Sequence, residues 1–308
     1  MRKMAIEGFL GDMLGIKMSL GSVVACERAV SAAVEQPVAE AREFVQHQPV
    51  KNADETSFRQ GRSTAWLWVV VTRYVTTFLV HMRRSEAAAR AVLGTVAGVL
   101  GSDRFGSYNF WPLHLRQVCW AHLKRDFQAI AEAGEKCVAL GNALLEETAL
   151  LFDLWHRTRD GPKTGKLRRE VMPIRRRVKR LLRQGLHCGH AKTEGTCKMI
   201  LQVFPALWTF VDVEGVEPTN NAAEQALRPA VLWRKGSFGT QSAEGSRFVE
   251  RIMTVAATLK QQGRNVLDFV TAACEARLHR AEPPRLVPES FLNFAEPDNC
   301  EAVVRASA

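Results

Sequence analysis

Three acidic side chains on separate stretches offer this sequence a chemistry. They are Asp54 in Asn52-Ala53-Asp54-Glu55-Thr56, Asp103 in Ser102-Asp103-Arg104-Phe105-Gly106-Ser107-Tyr108, and Glu224 in Glu217-Pro218-Thr219-Asn220-Asn221-Ala222-Ala223-Glu224-Gln225-Ala226-Leu227-Arg228-Pro229. Carboxylate oxygens are hard donors that suit Mg²⁺ or Mn²⁺, ions that keep several of their waters. Two such ions ~3.5–4 Å apart stabilise both the attacking and the leaving oxygen when a phosphodiester is displaced in line. Acids serving that purpose must converge in space but need not be close in sequence. Singly, each has a plainer reading. Asp54 reads as a turn residue, with Glu55 as its competitor for a metal. Asp103 reads as the cap of the next turn, with Asp126 a second acid nearby. Glu224 reads as one half of an i,i+4 surface pair with Arg228.

The elements that must position these acids are legible in outline. Thr219 or Asn220 can cap a helix that Ala222 to Leu227 favour, and Pro229 predicts its stop or kink. Trp66 to Thr72 and Tyr74 to Val80 are rich in β-branched and aromatic residues and predict two neighbouring strands. Residues 85–99 predict a helix capped by Ser85, with Glu86 in its first turn. Val99 to Asp103 predicts a short buried strand ending in an acid. Arg116 to Trp120 predicts another strand, and His122 to Ala133 a helix. Strands, a helix, a strand and further helices describe a mixed α/β sheet. No convincing strand falls in residues 134–215, where Val138 to Trp155 and the very basic Leu167 to Leu186 read as helices. Further helices are predicted over about 243–262 and 266–278.

The run from Pro218 to Asn265, with PTNN, AE, LRP and the following VLWRKGSFGTQSAEGSRFVERIMTVAATLKQQGRN, resembles the C-terminal catalytic block of the insertion-sequence-66 family of bacterial transposases. The resemblance extends from about residue 5 to about residue 275. It implies a ribonuclease-H-like fold with an Asp-Asp-Glu triad holding Mg²⁺ or Mn²⁺. Asp54 would lie on the first strand, Asp103 at the end of the fourth, and Glu224 on the helix after a helical insertion. The expected activity is metal-dependent DNA cleavage and strand transfer; a truncated DNA-binding remnant and a structure-selective nuclease are the alternatives. The intact triad speaks against a decayed copy. Expected partners are double-stranded DNA, as transposon ends and target, and further copies of the chain on that DNA.

Other residues join the picture through the same resemblance. Cys119 to Phe127 matches a block that follows the second aspartate, with His122 and Arg125 at i,i+3 able to meet phosphate. The plainer reading packs Trp120, Leu123 and Phe127 into a core and leaves His122 at its edge. Asn220, Asn221, Arg228, Arg234 and Lys235 are candidates for phosphate or base contacts beside Glu224. In the basic helix, Arg175, Arg176 and Lys179 are candidates for the DNA backbone, against a merely solvated face. His187, Cys188, His190 and Cys197 have the residue types of a zinc site but fit no ligand spacing, and no structural metal is expected there.

Composition bounds the rest. The 308 residues can bury a sizeable core, and 46% hydrophobic with 24% charged residues is ordinary for a globular protein. A net charge of +10 fits a polyanionic partner without requiring one. Seven cysteines at irregular spacing do not read as a disulfide framework. No signal-like segment or run of 18 apolar residues is present, so a cytoplasmic protein, nucleoid-associated when bound to DNA, is expected. The expected organisation is a helical, helix-turn-helix-like segment over 1–45 and a catalytic domain over 46–133. A basic helical insertion over 134–215, completion of the catalytic domain over 216–280 and a loosely ordered tail over 281–308 follow. For the first segment, any αα-hairpin is the plainer reading. Longer proteins of the resembled family carry a further N-terminal DNA-binding region, which is expected to be missing here.

Overall fold

The computed structural model describes residues 3–159 and 165–289. In chain order, α1 (Lys3–Leu14) and α2 (Leu20–Ala33) are followed by α3 (Glu35–Gln46). Ser19 caps α2, its hydroxyl accepting from the Ser22 N–H at 3.1 Å. Strands β1 (Val50–Gln60), β2 (Ser63–Val71) and β3 (Thr76–His81) come next, then α4 (Glu86–Leu93). Ser85 caps α4 as expected, but the helix stops short of residue 99. Gly94 turns the chain at φ 71°, where a side chain would be strained and would collide with Gln46.

Strand β4 (Val99–Ser102) ends just before Asp103, and β5 (Arg116–Val118) leads into α5 (Trp120–Ala131). Helices α6 (Glu135–Thr158), α7 (Gly165–Gly185), α8 (Ala191–Gln202) and α9 (Thr209–Asp212) fill the stretch where no strand was expected. Helices α10 (Asn221–Ser237), α11 (Ala243–Gln261) and α12 (Val266–His279) follow. The five strands make a mixed sheet in the order β3-β2-β1-β4-β5. Strands β1 to β3 are antiparallel, and β4 and β5 are parallel.

The chain divides into two compact units. The first gathers the described residues up to 98, residues 106–110 and those from 221 onward; the second holds 99–105 and 111–220. In the first, a full antiparallel register runs from Asn52 opposite Val71 to Gln60 opposite Ser63. Side chains alternate across a strand, so Phe58 on β1 shares a face with Ala65, Leu67, Val69 and Val71 on β2. These residues form one buried cluster with Ala223, Leu227 and Ala230 of α10 and Val249 of α11.

Helix α11 also satisfies the outer edge of β3, whose backbone groups would otherwise invite pairing with another chain. Glu250, Thr254 and Thr258, at i, i+4 and i+8, accept the N–H groups of Val80, Phe78 and Thr76. The tail expected to be loosely ordered is pinned at its start: Leu286 is fully buried, and its carbonyl accepts from Gln262 at 3.2 Å and Arg264 at 3.3 Å. Residues 290–308 of that tail lie outside the described residues.

In the second unit, the 204–210 stretch is clamped to β5 and α5. Trp120 Nε1 donates to the Leu207 carbonyl at 2.7 Å, and Phe210 N–H donates to Gln117 Oε1 at 2.8 Å. The Trp120 and Trp208 rings meet edge to face, 5.1 Å between centroids. Among the described residues no helix is long and apolar enough to cross a membrane.

Candidate functional site

Asp54 sits inside β1, opposite Val69, and so belongs to the face on which α10 and α11 pack. Its Oδ1 accepts the N–H of Glu55 at 2.9 Å. Glu55 points the other way and is nearly sealed, with its side chain 1% exposed. Its Oε2 accepts the Tyr108 hydroxyl, and its Oε1 accepts from Arg84 Nε at 2.8 Å and Nη2 at 2.7 Å. Tyr108 itself is fully buried against Trp68, edge to face at 6.1 Å. The pleat thus separates two adjacent acids. Glu55 is enclosed in an ion pair and hydrogen bond, and Asp54 lies on the α10 face.

Helix α10 is fixed to that same face. Trp233 stacks on Phe58 with centroids 6.0 Å apart. The Arg234 guanidinium bonds the Ser57 carbonyl, the Ser57 hydroxyl at 2.7 Å and the Thr56 hydroxyl at 3.2 Å. Arg234, expected to meet DNA, is therefore turned onto β1. From this anchor Glu224 lies nine helical residues back, about 13.5 Å. Asp54 lies four strand residues back from Phe58, about 13 Å. Pro229 does not end the helix. Ala223, Leu227 and Ala230 pack on the sheet on both sides of it, and Pro229 itself faces out. Burial at i, i+4 and i+7 offsets the hydrogen bond the proline removes. Arg228 and Lys235 are exposed on α10, and Asn221 is its exposed first residue.

The second unit holds Asp103 in a built turn. Asp103 Oδ1 accepts the Phe105 N–H at 2.8 Å, so the capping role and the acid coexist in one side chain. The neighbouring acid Asp126 is taken up by an ion pair with Arg104. Beneath the turn, Arg116 is 1% exposed; its Nη2 donates to the Asp103 carbonyl at 2.9 Å and its Nε to the Ser102 hydroxyl at 3.4 Å. Thr209 donates to the Arg116 carbonyl at 2.6 Å. Neither Arg116 nor Tyr108, Glu55 and Arg84 stood out in the sequence as a set. Their partners are 13 to 53 residues away, and no local spacing signals them.

The stretch before α10 is tied to the start of α5. The Trp120 N–H donates to the Pro218 carbonyl at 2.9 Å, and the Asn220 N–H to Cys119 Sγ at 3.2 Å. Asn220 is fully buried, which suits a positioning role better than contact with a ligand in solvent. His122 is half-buried and Arg125 exposed on α5, with Trp120, Leu123 and Phe127 in the core as the plainer reading expected.

The cysteine- and histidine-bearing stretch has other employment. His190 Nδ1 faces Thr193 Oγ1 at 2.9 Å and caps α8. Cys188 Sγ is 3.9 Å from Cys137 Sγ. Burial pushes the Cys197 thiol up to about 11, with the neighbouring Cys188 and Cys137 adding to it.

The transposase IS66 family matches residues 5–247. The chain belongs to that family. It is also similar to y4qI of Sinorhizobium fredii, a protein described as uncharacterised, with 27% identity over 255 residues. That match covers 71% of this chain and 46% of the relative, so the chain spans about half the length of the curated relative it matches. Family membership supports a transposase function, and the matched residues include all three acids.

Proposed function

We propose that this member of the IS66 family is a DDE transposase on a ribonuclease-H-like fold. In this reading Asp54, Asp103 and Glu224 act as one set of metal ligands for cleavage at transposon ends and strand transfer into target DNA. The observation that carries it is how β1 treats its two consecutive acids. Glu55, the competitor, is consumed by Tyr108 and Arg84, while Asp54 shares the face on which the Glu224 helix packs. The strand positions are also those the resemblance implies: Asp54 lies on the first strand and Asp103 directly after the fourth.

A donor set of three carboxylates fits Mg²⁺ or Mn²⁺, which favour oxygen ligands and complete their shells with water. When bound, such ions supply charge stabilisation to the oxygens that enter and leave phosphorus. The protein's own part is positioning. Arg116 holds the main chain of Asp103 from below, and the Tyr108–Glu55–Arg84 network fixes the strand that carries Asp54. The Phe58–Trp233 stack and the Arg234 contacts fix the helix that carries Glu224. Exposed cations such as Arg228 and Lys235 suit phosphate contacts near that helix. Self-association on DNA belongs to this reading, since two ends must be joined to one target.

The test is a cleavage-and-joining assay with Mg²⁺ or Mn²⁺ on DNA bearing the ends of the element that encodes the chain. Wild type is compared with Glu224→Gln, which keeps shape and removes charge. Metal-dependent joined products that vanish in the variant support the transposase. Cutting without joining points to a nuclease, and binding with neither reaction points to a DNA-binding remnant.

A further inference from the structure

Helix α7 carries nine Lys and Arg residues and one Glu, a net +8 where the whole chain has +10. Its apolar side is unambiguous: Leu167, Val171, Ile174, Val178 and Leu182 are all buried at helical spacing. The arginines and Lys179 on the remaining surface fall into two groups. In the first, each has a partner inside its own unit. Arg168 Nε meets Asp212 at 2.9 Å, and Arg177 bonds Glu147, which raises the Arg177 pKa. Arg175 lies 5.9 Å from both the Phe204 and Trp208 ring centroids, and Lys179 lies 5.4 Å from Phe204.

The second group is Arg169, Arg176, Arg180 and Arg183. All four are exposed, and no acid among the described residues pairs with them. At about 100° per residue they fall within an arc of about 60°, and at about 1.5 Å rise they span about 21 Å. Like charges at i,i+3 and i,i+4 repel one another and weaken a helix. A solvated face would intersperse acids, as the Arg90–Glu86 pair does on α4. This row does not.

Resting on the reading that the chain acts on DNA, we propose that these four arginines form a track for the phosphate backbone of duplex DNA, gripping it without reading sequence. A guanidinium takes a phosphate through two parallel N–H donors, which suits arginine better than lysine for this task. A row of about 21 Å matches the rise of roughly six base pairs. The row carries no aromatic ring to stack on bases, and its exposed apolar neighbour, Met172, offers little to anchor in a lipid surface. Of Arg175, Arg176 and Lys179, the residues the resemblance offers for the backbone, only Arg176 belongs to the track.

The test is fluorescence anisotropy of an arbitrary-sequence duplex bound by the full chain across a potassium chloride series. Arg169→Gln, Arg176→Gln, Arg180→Gln and Arg183→Gln combined should weaken the slope of log affinity against log salt by about 3–4, close to 0.9 for each phosphate no longer neutralised. Each single variant should remove about 0.9 on its own, which keeps the test standing should the combined variant fold poorly. Arg168→Gln, which removes a charge already met by Asp212, should leave the slope unchanged. An unchanged slope in the four single variants overturns the track, as does loss of binding to phosphatidylserine vesicles in place of DNA. The outcome is separable from the catalytic reading. Wild-type joining with an unchanged slope sinks the track alone, whereas a lowered slope with no metal-dependent joining sinks the transposase alone.

Discussion

Tyr108 donates its phenolic proton to Glu55, while Arg84 closes on the other oxygen of the same carboxylate. The Glu55 side chain is 1% exposed, so a carboxylate there depends on these donors in place of water. Tyr108→Phe keeps the ring against Trp68 and removes only the hydroxyl. Stability should fall by about 1–3 kcal/mol, the cost of taking a donor from a buried group. The urea midpoint should drop while the denaturant slope stays constant. An unmoved midpoint would show that Tyr108 is not what holds Glu55 in place.

Arg116 predicts a separation between folding and chemistry. Its guanidinium reaches the Asp103 carbonyl and the Ser102 hydroxyl from two separate nitrogens, whereas a lysine ammonium concentrates its donors on one atom and lacks that planar fork. Arg116→Lys should cost at least about 1.5 kcal/mol, the lower bound for a hydrogen bond to a charged group. Under the proposed function it should also slow joining at saturating DNA while leaving DNA affinity unchanged, because the turn bearing Asp103 loses its support. Joining at the wild-type rate would remove Arg116 from any positioning role.

Local signals were legible and non-local ones were not. Ser85 announces a helix start by residue type alone, and it holds as a cap. The short apolar run Val99 to Ser102 is a strand, as its composition says. Strand β1 is harder: Lys51, Asn52, Asp54, Glu55, Thr56, Ser57, Arg59 and Gln60 give it almost no apolar pattern. It is a strand because it pairs along its length with β2, a tertiary cause invisible in its own composition. Only the family resemblance put Asp54 on a strand. Pro229 misleads for a similar reason, since packing of Ala223, Leu227 and Ala230 on the sheet overrides the local cost. On α7 the periodicity is plain, but the sorting of its cations depends on Glu147, Asp212, Phe204 and Trp208, which no spacing within the helix reveals.

Cys197 gives a pH prediction with a definite sign. Burial raises its thiol from 9.0 to about 11 in the folded chain. Between those values the native state holds the proton that the unfolded state has released, so stability falls as pH rises. The contribution is whole below about pH 9 and gone above about pH 11. Cys197→Ala removes the titration, leaving a packing cost that does not vary with pH. The gap in urea midpoint between wild type and variant should therefore narrow from about pH 8 to about pH 10.5. A constant gap would show that the thiol is not held neutral by the fold.

Two helical glycines should respond to alanine with opposite signs. In α6, a Cβ on Gly141 would stand 2.2 Å from the Ala131 backbone nitrogen and 2.4 Å from its Cα. Neither atom can rotate away, so α5 and α6 would have to separate. Gly141→Ala should lose about 1–3 kcal/mol or more through overpacking, despite the better helix propensity of alanine. Gly195 in α8 is exposed, and a methyl group added there would meet nothing within 4 Å. There Gly195→Ala should gain about 0.5–1 kcal/mol, because only the backbone entropy of the unfolded chain changes. Thermal midpoints of the two variants should bracket wild type. If Gly141→Ala were neutral, the close approach of α5 to α6 would be wrong; if Gly195→Ala were destabilising, its open surroundings would be.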